Sequence, residues 1–188
     1  MINKRPPNAA HADQGSAELL PLLDNSVDAA LAVFTIHHWN DVRRGLRELL
    51  RVARERIVIL TWDTTYAGSF WLTRDYIPEV DDWTVAHLPS LDEIAGELGD
   101  FERRSLRIPR DCHDGFLRAF WARPEAYLDD RIRRNISQFN LVDQGSVSRA
   151  IERLDHDLSN GDWDAEYRSL RSQDSEDLGY CILVAEKE

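Results

Sequence analysis

Two short apolar runs separated by one amphipathic stretch constrain this chain more than any other feature. Ala29–Phe34 reads AALAVF and Ile57–Trp62 reads IVILTW. Between them, Val42, Leu46, Leu49, Leu50 and Ala53 fall on one helical face. Arg43, Arg44, Arg47, Arg51 and Arg54 fall on the others. Runs that are apolar on both faces predict parallel strands covered on both sides. A strand, a helix and a second parallel strand make a right-handed βαβ unit. In open α/β sheets, ligands bind beyond the carboxyl ends of the strands. Those ends here are Phe34–Trp39 and Thr61–Asp63, so two imidazoles, an indole, a hydroxyl and a carboxylate are expected on one edge.

The same stretch carries a family pattern. Ser16 precedes Ala17-Glu18, then Leu20-Pro21, then an Asp24-x-Ser26-x-Asp28 spacing. The first apolar run, His37-His38-Trp39, a helix begun at Asp41 and Arg51-Val52 ahead of the second run follow. This order is similar to that of the class I S-adenosylmethionine (SAM)-dependent methyltransferases, in the small-molecule branch often called type 11. The resemblance implies an α/β fold with a partial Rossmann-like methyltransferase sheet, parallel strands plus an antiparallel C-terminal strand. It also implies a helical insertion or cap, expected over residues 109–176. The activity implied is methyl transfer from SAM to a small-molecule acceptor. By position, Ser16, Ala17 and Glu18 match the family residues that meet the adenine. Phe34 matches the residue beside the cofactor at its strand end. Many family members have Asp where Ser16 stands, and a hydroxyl there bonds the adenine amino group without a charge.

The chain departs from the pattern in one respect. The family holds the methionine part of SAM on a Gly-rich turn, where only Gly lets the backbone approach the ligand. None of the nine glycines of this sequence lies two positions from another. The expectation is a single methyltransferase-like domain over 1–188 that is truncated at its N-terminus and lacks that motif. The alternative is a non-catalytic relative that binds a ligand or a partner protein.

His37-His38-Trp39 admits three readings. Adjacent histidines on an extended segment point in opposite directions, and no further His or Cys lies at ligand spacing, so no metal site is expected. One reading has the rings capping and packing the turn. The other turns one ring toward cofactor or substrate, where an imidazole can take a proton from an acceptor. In the resemblance the strand-end position lies beside the transferring methyl group, which makes His37 the catalytic candidate.

The formal charge of −11 argues against nucleic acid and anionic membranes as partners. No apolar run approaches the roughly 20 residues that span a bilayer. With Cys112 and Cys181 the only cysteines, no disulfide is expected, and a cytoplasmic location follows. A strand at 28–34 without its family neighbour exposes an edge, which predicts a homodimer through that edge or capture of residues 8–14 as a substitute strand.

Beyond residue 63, Tyr66–Trp83 is rich in aromatics and reads as a packed surface helix or a pocket wall. Helices are expected from Ser90 to Leu98 with Gly99 following, over Phe116–Leu128, within Arg131–Phe139 and along the Val147–Leu158 stripe ended by Asn160-Gly161. Strands are expected over Phe101–Ile108 and Leu178–Ala185.

Overall fold

The computed structural model describes residues 8–10 and 12–187. They divide into two compact units. The first comprises residues up to Thr61, Leu91–Arg104 and the chain from Ile182. The second comprises Trp62–Ser90 and Ser105–Cys181.

The first unit is built on β1 (Val27–Val33), α1 (Val42–Val52) and β2 (Ala53–Trp62). β1 and β2 are parallel, with Leu31 opposite Val58 and Val33 opposite Leu60. The expected βαβ unit is present. After α2 (Glu79–His87) of the second unit come α3 (Leu91–Leu98) and β3 (Glu102–Ser105). The chain's last strand, β6 (Tyr180–Glu186), completes a four-stranded sheet ordered β1-β2-β6-β3. The α/β fold with parallel and antiparallel pairing is the one expected.

Asp41, at the helix start read from the sequence, is the N-cap of α1, and its carboxylate accepts the Arg44 N–H at 2.9 Å. The Asn40 N–H is bonded to Glu18 Oε1 at 2.8 Å. α1 runs straight into β2 at Ala53, four residues before the apolar run, because Arg56 pairs in register with Ala29. α1 packs on α3, and Arg43 and Arg47 both reach Glu97.

The sheet is not covered on both sides as the apolar runs suggested. Ala30 and Ala32 are 7% and 3% exposed, whereas Leu31 and Val33 are 66% and 48% exposed. Leu46, Leu49 and Val52 of α1, which contacts β1, are buried as well, and among the described residues Leu31 and Val33 on the other face stay exposed. A continuous apolar run records hydrophobicity and not which side receives a cover. No described residue between 8 and 14 forms a strand, so the substitute strand is not seen there; residue 11 lies outside the described residues.

The second unit opens with Trp62, whose indole N–H donates to the Leu178 carbonyl at 2.9 Å. The Asp63 N–H donates to the Gly179 carbonyl at 2.8 Å. Gly179 has φ +85°, and a Cβ there would stand 2.5 Å from the Tyr66 ring, so both conformation and space demand glycine. Tyr66–Trp83 is not one helix. It is a short 3-10 turn at Thr64–Tyr66, a π-type turn at Leu72–Tyr76 and then the start of α2.

The expected helix over Phe116–Leu128 is also absent. Only Pro124–Leu128 is helical, as a 3-10 turn. The carbonyls that a helix would use are taken by side chains instead. Tyr127 Oη donates to Leu117 O at 2.6 Å, Trp71 Nε1 to Trp121 O at 2.8 Å, and Arg123 to Ala119 O at 3.2 Å. Pro124 removes one donor as well. The strand expected over Phe101–Ile108 breaks into β3 and a separate β4 (Ile108–Pro109). β4 pairs antiparallel with β5 (Ser175–Glu176). Between them lie α4 (Asp130–Arg133), α5 (Gln144–Asn160) and α6 (Asp162–Tyr167). Gly161 ends α5 at φ +87°, as its position predicted.

A buried ion pair ties this unit together. Arg118 donates to Asp81 at 2.6 Å, with side chains 3% and 6% exposed. The second Asp81 oxygen accepts Thr73 Oγ1 at 2.7 Å and the Gly68 N–H at 2.9 Å. The guanidinium also lies 4.2 Å from the Trp62 ring centroid.

Candidate functional site

The ligand edge of the first unit begins where β1 ends. Phe34 adopts φ +45°, a left-handed conformation rare for a bulky residue. Its N–H still bonds the Leu60 carbonyl at 3.0 Å, so the parallel ladder continues up to the bend. Strain of about 1–3 kcal/mol persists only where the surroundings enforce it, and such residues cluster at ligand sites. Thr35 then leads into a 3-10 turn at Ile36–His38. Ile36 is buried, His37 half-buried and His38 exposed.

The two imidazoles lie with centroids 4.0 Å apart and tilted by 52°. Burial, and then the charge of His38, lower the His37 pKa below its ordinary value. His37 is therefore an uncharged imidazole at neutral pH, the form that accepts a proton. The Trp39 indole closes the turn on α1. A Cβ on Gly45 would stand 2.3 Å from its ring, so glycine lets the turn lie flush on the helix.

Ser16, Ala17 and Glu18 form a tight turn in the same unit, with a bridge between Ser16 and Leu19. The Ser16 hydroxyl donates to one Glu18 carboxylate oxygen. The other oxygen accepts the Asn40 N–H at 2.8 Å and the Asp41 N–H at 3.3 Å. These bonds, the Ser16 hydroxyl first, hold the Glu18 pKa down to about 2. Glu18 thus fastens its loop to the start of α1, the same turn that carries His37. Ser16 has spent its donor on Glu18 and accepts the Glu18 N–H at 3.3 Å, which leaves its hydroxyl one lone pair.

Glu48 and Arg51 do the rest of this fastening, and sequence reasoning singled out neither. Glu48 accepts the Leu20 N–H at 2.8 Å and is itself held by Arg51 at 2.7 Å. Arg51 also donates to Leu22 O at 2.8 Å and to Asp24 at 2.7 Å. Spacing on the helix gave no sign of this, since the partners lie on a loop some thirty residues back. Among the described residues no cluster of three or more His, Cys, Asp or Glu is placed to hold a metal.

The described residues of the second unit line at least two concavities. A cleft of about 500 Å³ between the π-type turn, α5 and α6 is rich in carboxylates, but Asp75 and Asp157 are already bonded to Tyr167 and Tyr76. A cavity of about 380 Å³ is walled by Tyr66, Phe70, Trp71, Trp121 and Tyr167. The aromatic stretch after the second strand end therefore contributes to a pocket wall, and its rings also pack the core: Trp71 meets Tyr127 and Trp163 edge-on.

Comparison with known proteins bears on what this arrangement is. Residues 2–59 match the family model described as a methyltransferase domain. A solved structure from Anabaena variabilis ATCC 29413, a methyltransferase candidate of an antibiotic biosynthesis pathway, is similar over nearly the whole chain. The two are 35% identical, with a TM-score of 0.85, over 92% of this chain and 72% of that one. The chain belongs to the class I SAM-dependent methyltransferase family. An uncharacterized methyltransferase of Bacillus subtilis (strain 168) is 38% identical over 104 residues, 55% of this chain and 32% of its own length. One from Mycobacterium tuberculosis (strain ATCC 25618 / H37Rv) is 38% identical over 95 residues, 50% of this chain and 32% of its own length. The chain spans about a third of the length of these curated relatives. No helix among the described residues is long and apolar enough to cross a membrane.

Proposed function

We propose that this chain serves the transfer of a methyl group from SAM to a small-molecule acceptor, in the cytoplasm. The observation that carries this reading is the 35% identity with a methyltransferase structure across 92% of the chain. Bound SAM supplies the methyl group as an electrophilic sulfonium. Ser16, Ala17, Glu18 and Phe34 would hold its adenine end, the remaining Ser16 Oγ lone pair meeting the amino group, since the Glu18 N–H is already bonded to Ser16 Oγ at 3.3 Å. Among the described residues no Gly-rich turn is available for the methionine end. His37, neutral and half-buried at the strand-end turn, is the residue to take a proton from the acceptor. Alignment of the acceptor is the other requirement. In this reading residues 109–176 are a helical insertion that, with Tyr66–Trp71, supplies the acceptor pocket.

Calorimetric titration with S-adenosylhomocysteine tests the proposal. Saturable binding that weakens on Phe34→Ala supports it, and no heat at millimolar ligand refutes it for this chain. The second reading, a non-catalytic relative, is favoured by one observation: no two glycines lie two apart. It expects a folded chain with no such binding. The partner proposed in both readings is a second copy joined through β1, the edge strand of the described sheet, where Leu31 and Val33 are exposed. Sedimentation that shows a monomer at all concentrations removes that partner.

A further inference from the structure

The aromatic cavity of the second unit says more than that a small molecule fits. Its volume of about 380 Å³ is within the usual range for ligand pockets, roughly 300–1,000 Å³. Phe70, Trp71 and Trp121 are buried, so these walls are fixed by the packing around them. Three charged residues line it: Arg74, Glu176 and Asp177.

Two of the three are already committed. Arg74 grips Asp75 with bonds of 2.8 and 3.0 Å and donates to Tyr167 Oη at 2.7 Å. Asp177 accepts Ser105 Oγ at 2.7 Å, Tyr66 Oη at 3.2 Å and the Gly179 N–H at 3.1 Å. Glu176 differs. Its backbone is placed by the β4–β5 pairing opposite Ile108, and the residue is half-buried. Its carboxylate has no hydrogen-bond or ion-pair partner among the described residues.

The cavity therefore holds one carboxylate without a partner among aromatic side chains, of which Tyr66 and Tyr167 are half-buried and the others buried. A carboxylate attracts a cation, and an aromatic face is electron-rich and does so too. A cationic donor to that carboxylate gains a charge-assisted hydrogen bond. We infer that this cavity binds a small organic ammonium ion bearing an apolar or aromatic body, with the ammonium on Glu176 and the body against the rings. Resting on the reading proposed above, the free amine is the methyl acceptor: the bound ammonium first gives a proton to the Glu176 carboxylate, and the freed lone pair then takes the methyl group of SAM as S-adenosylhomocysteine leaves.

The test uses 2-phenylethylammonium and its neutral counterpart 2-phenylethanol, each titrated into the full chain and followed by tryptophan emission. A charge-assisted hydrogen bond should make the ammonium bind about 10- to 100-fold tighter. Glu176→Gln keeps the backbone pairing and the side-chain shape. It should erase that preference and leave 2-phenylethanol binding unchanged. Equal affinity for the two probes, or a preference that survives Glu176→Gln, overturns the proposal. Leu170→Trp places a ring in the cavity and should abolish binding of both probes with the near-ultraviolet circular dichroism of a folded chain. Ammonium binding that persists in that variant puts the site elsewhere and also overturns the proposal. None of these titrations contains SAM, so the two readings fail separately. An ammonium that binds but is not methylated leaves the site and removes the acceptor role. Binding of S-adenosylhomocysteine without an ammonium preference leaves the transferase reading and removes this site.

Discussion

Removing the Asp81 carboxylate should be among the most damaging single changes in the second unit. Arg118 and Asp81 are almost wholly buried and bonded at 2.6 Å. Asp81→Ala leaves a guanidinium without its counter-charge and strips Thr73 Oγ1 and the Gly68 N–H of an acceptor. Breaking a buried pair from one side costs about 3–5 kcal/mol. The cation–π contact with Trp62 at 4.2 Å keeps some stabilisation for the stranded cation, ~2 kcal/mol when desolvated, which places the loss near the lower end. A loss of about 3–4 kcal/mol is a large part of the ~5–15 kcal/mol that holds a typical protein folded. For a chain of this size it lowers Tm by roughly 6–16 °C. Replacing both residues, Asp81→Leu with Arg118→Met, should cost far less than the sum of the two single changes, because neither leaves a charge behind. Urea unfolding of the parent, both single variants and the pair measures the coupling, with an unchanged m-value as the condition for reading Cm as stability. A cost below about 1 kcal/mol for Asp81→Ala, or additive single costs, refutes the reasoning by showing that water screens the pair.

Three further outcomes are expected. His37→Ala should lower methyl-transfer turnover at saturating SAM by ~10²–10⁴ with little change in Tm, and parental turnover would leave His37 without a proton-transfer role. Glu18 has a depressed folded pKa, so what it contributes is present above about 4.5 and is lost as pH falls from there through about 2. A carboxyl titration by NMR should follow that range in the parent, and Ser16→Ala should raise the Glu18 midpoint; an unmoved midpoint means the hydroxyl bond is not formed. Gly45→Ala should destabilise, although an alanine in an exposed helix would gain about 1 kcal/mol, because its Cβ meets the Trp39 ring at 2.3 Å and overpacking costs ~1–3 kcal/mol. Its signature is a lower Cm together with a changed Trp39 environment, and a raised Cm would show that the ring yields.

The sequence by itself determined the βαβ unit and the family. Period and hydrophobicity are local properties, and β1, α1 and β2 express them through backbone bonds that need little else. The Ser16–Asp63 pattern was legible for the same reason, since order and spacing along the chain carry it. The tertiary structure decided what depends on partners distant in sequence. It gave the Leu117, Ala119 and Trp121 carbonyls to Tyr127, Arg123 and Trp71, and so no helix formed there. It left one face of β1 open, because a cover belongs to the neighbouring layer and not to the strand. It also turned Arg51 from a surface charge into a clamp on residues 20–24 and left Glu176 unpaired beside aromatic walls. A charged side chain has no preference of its own between solvent and a partner; the fold settles that by what it places within a few ångströms.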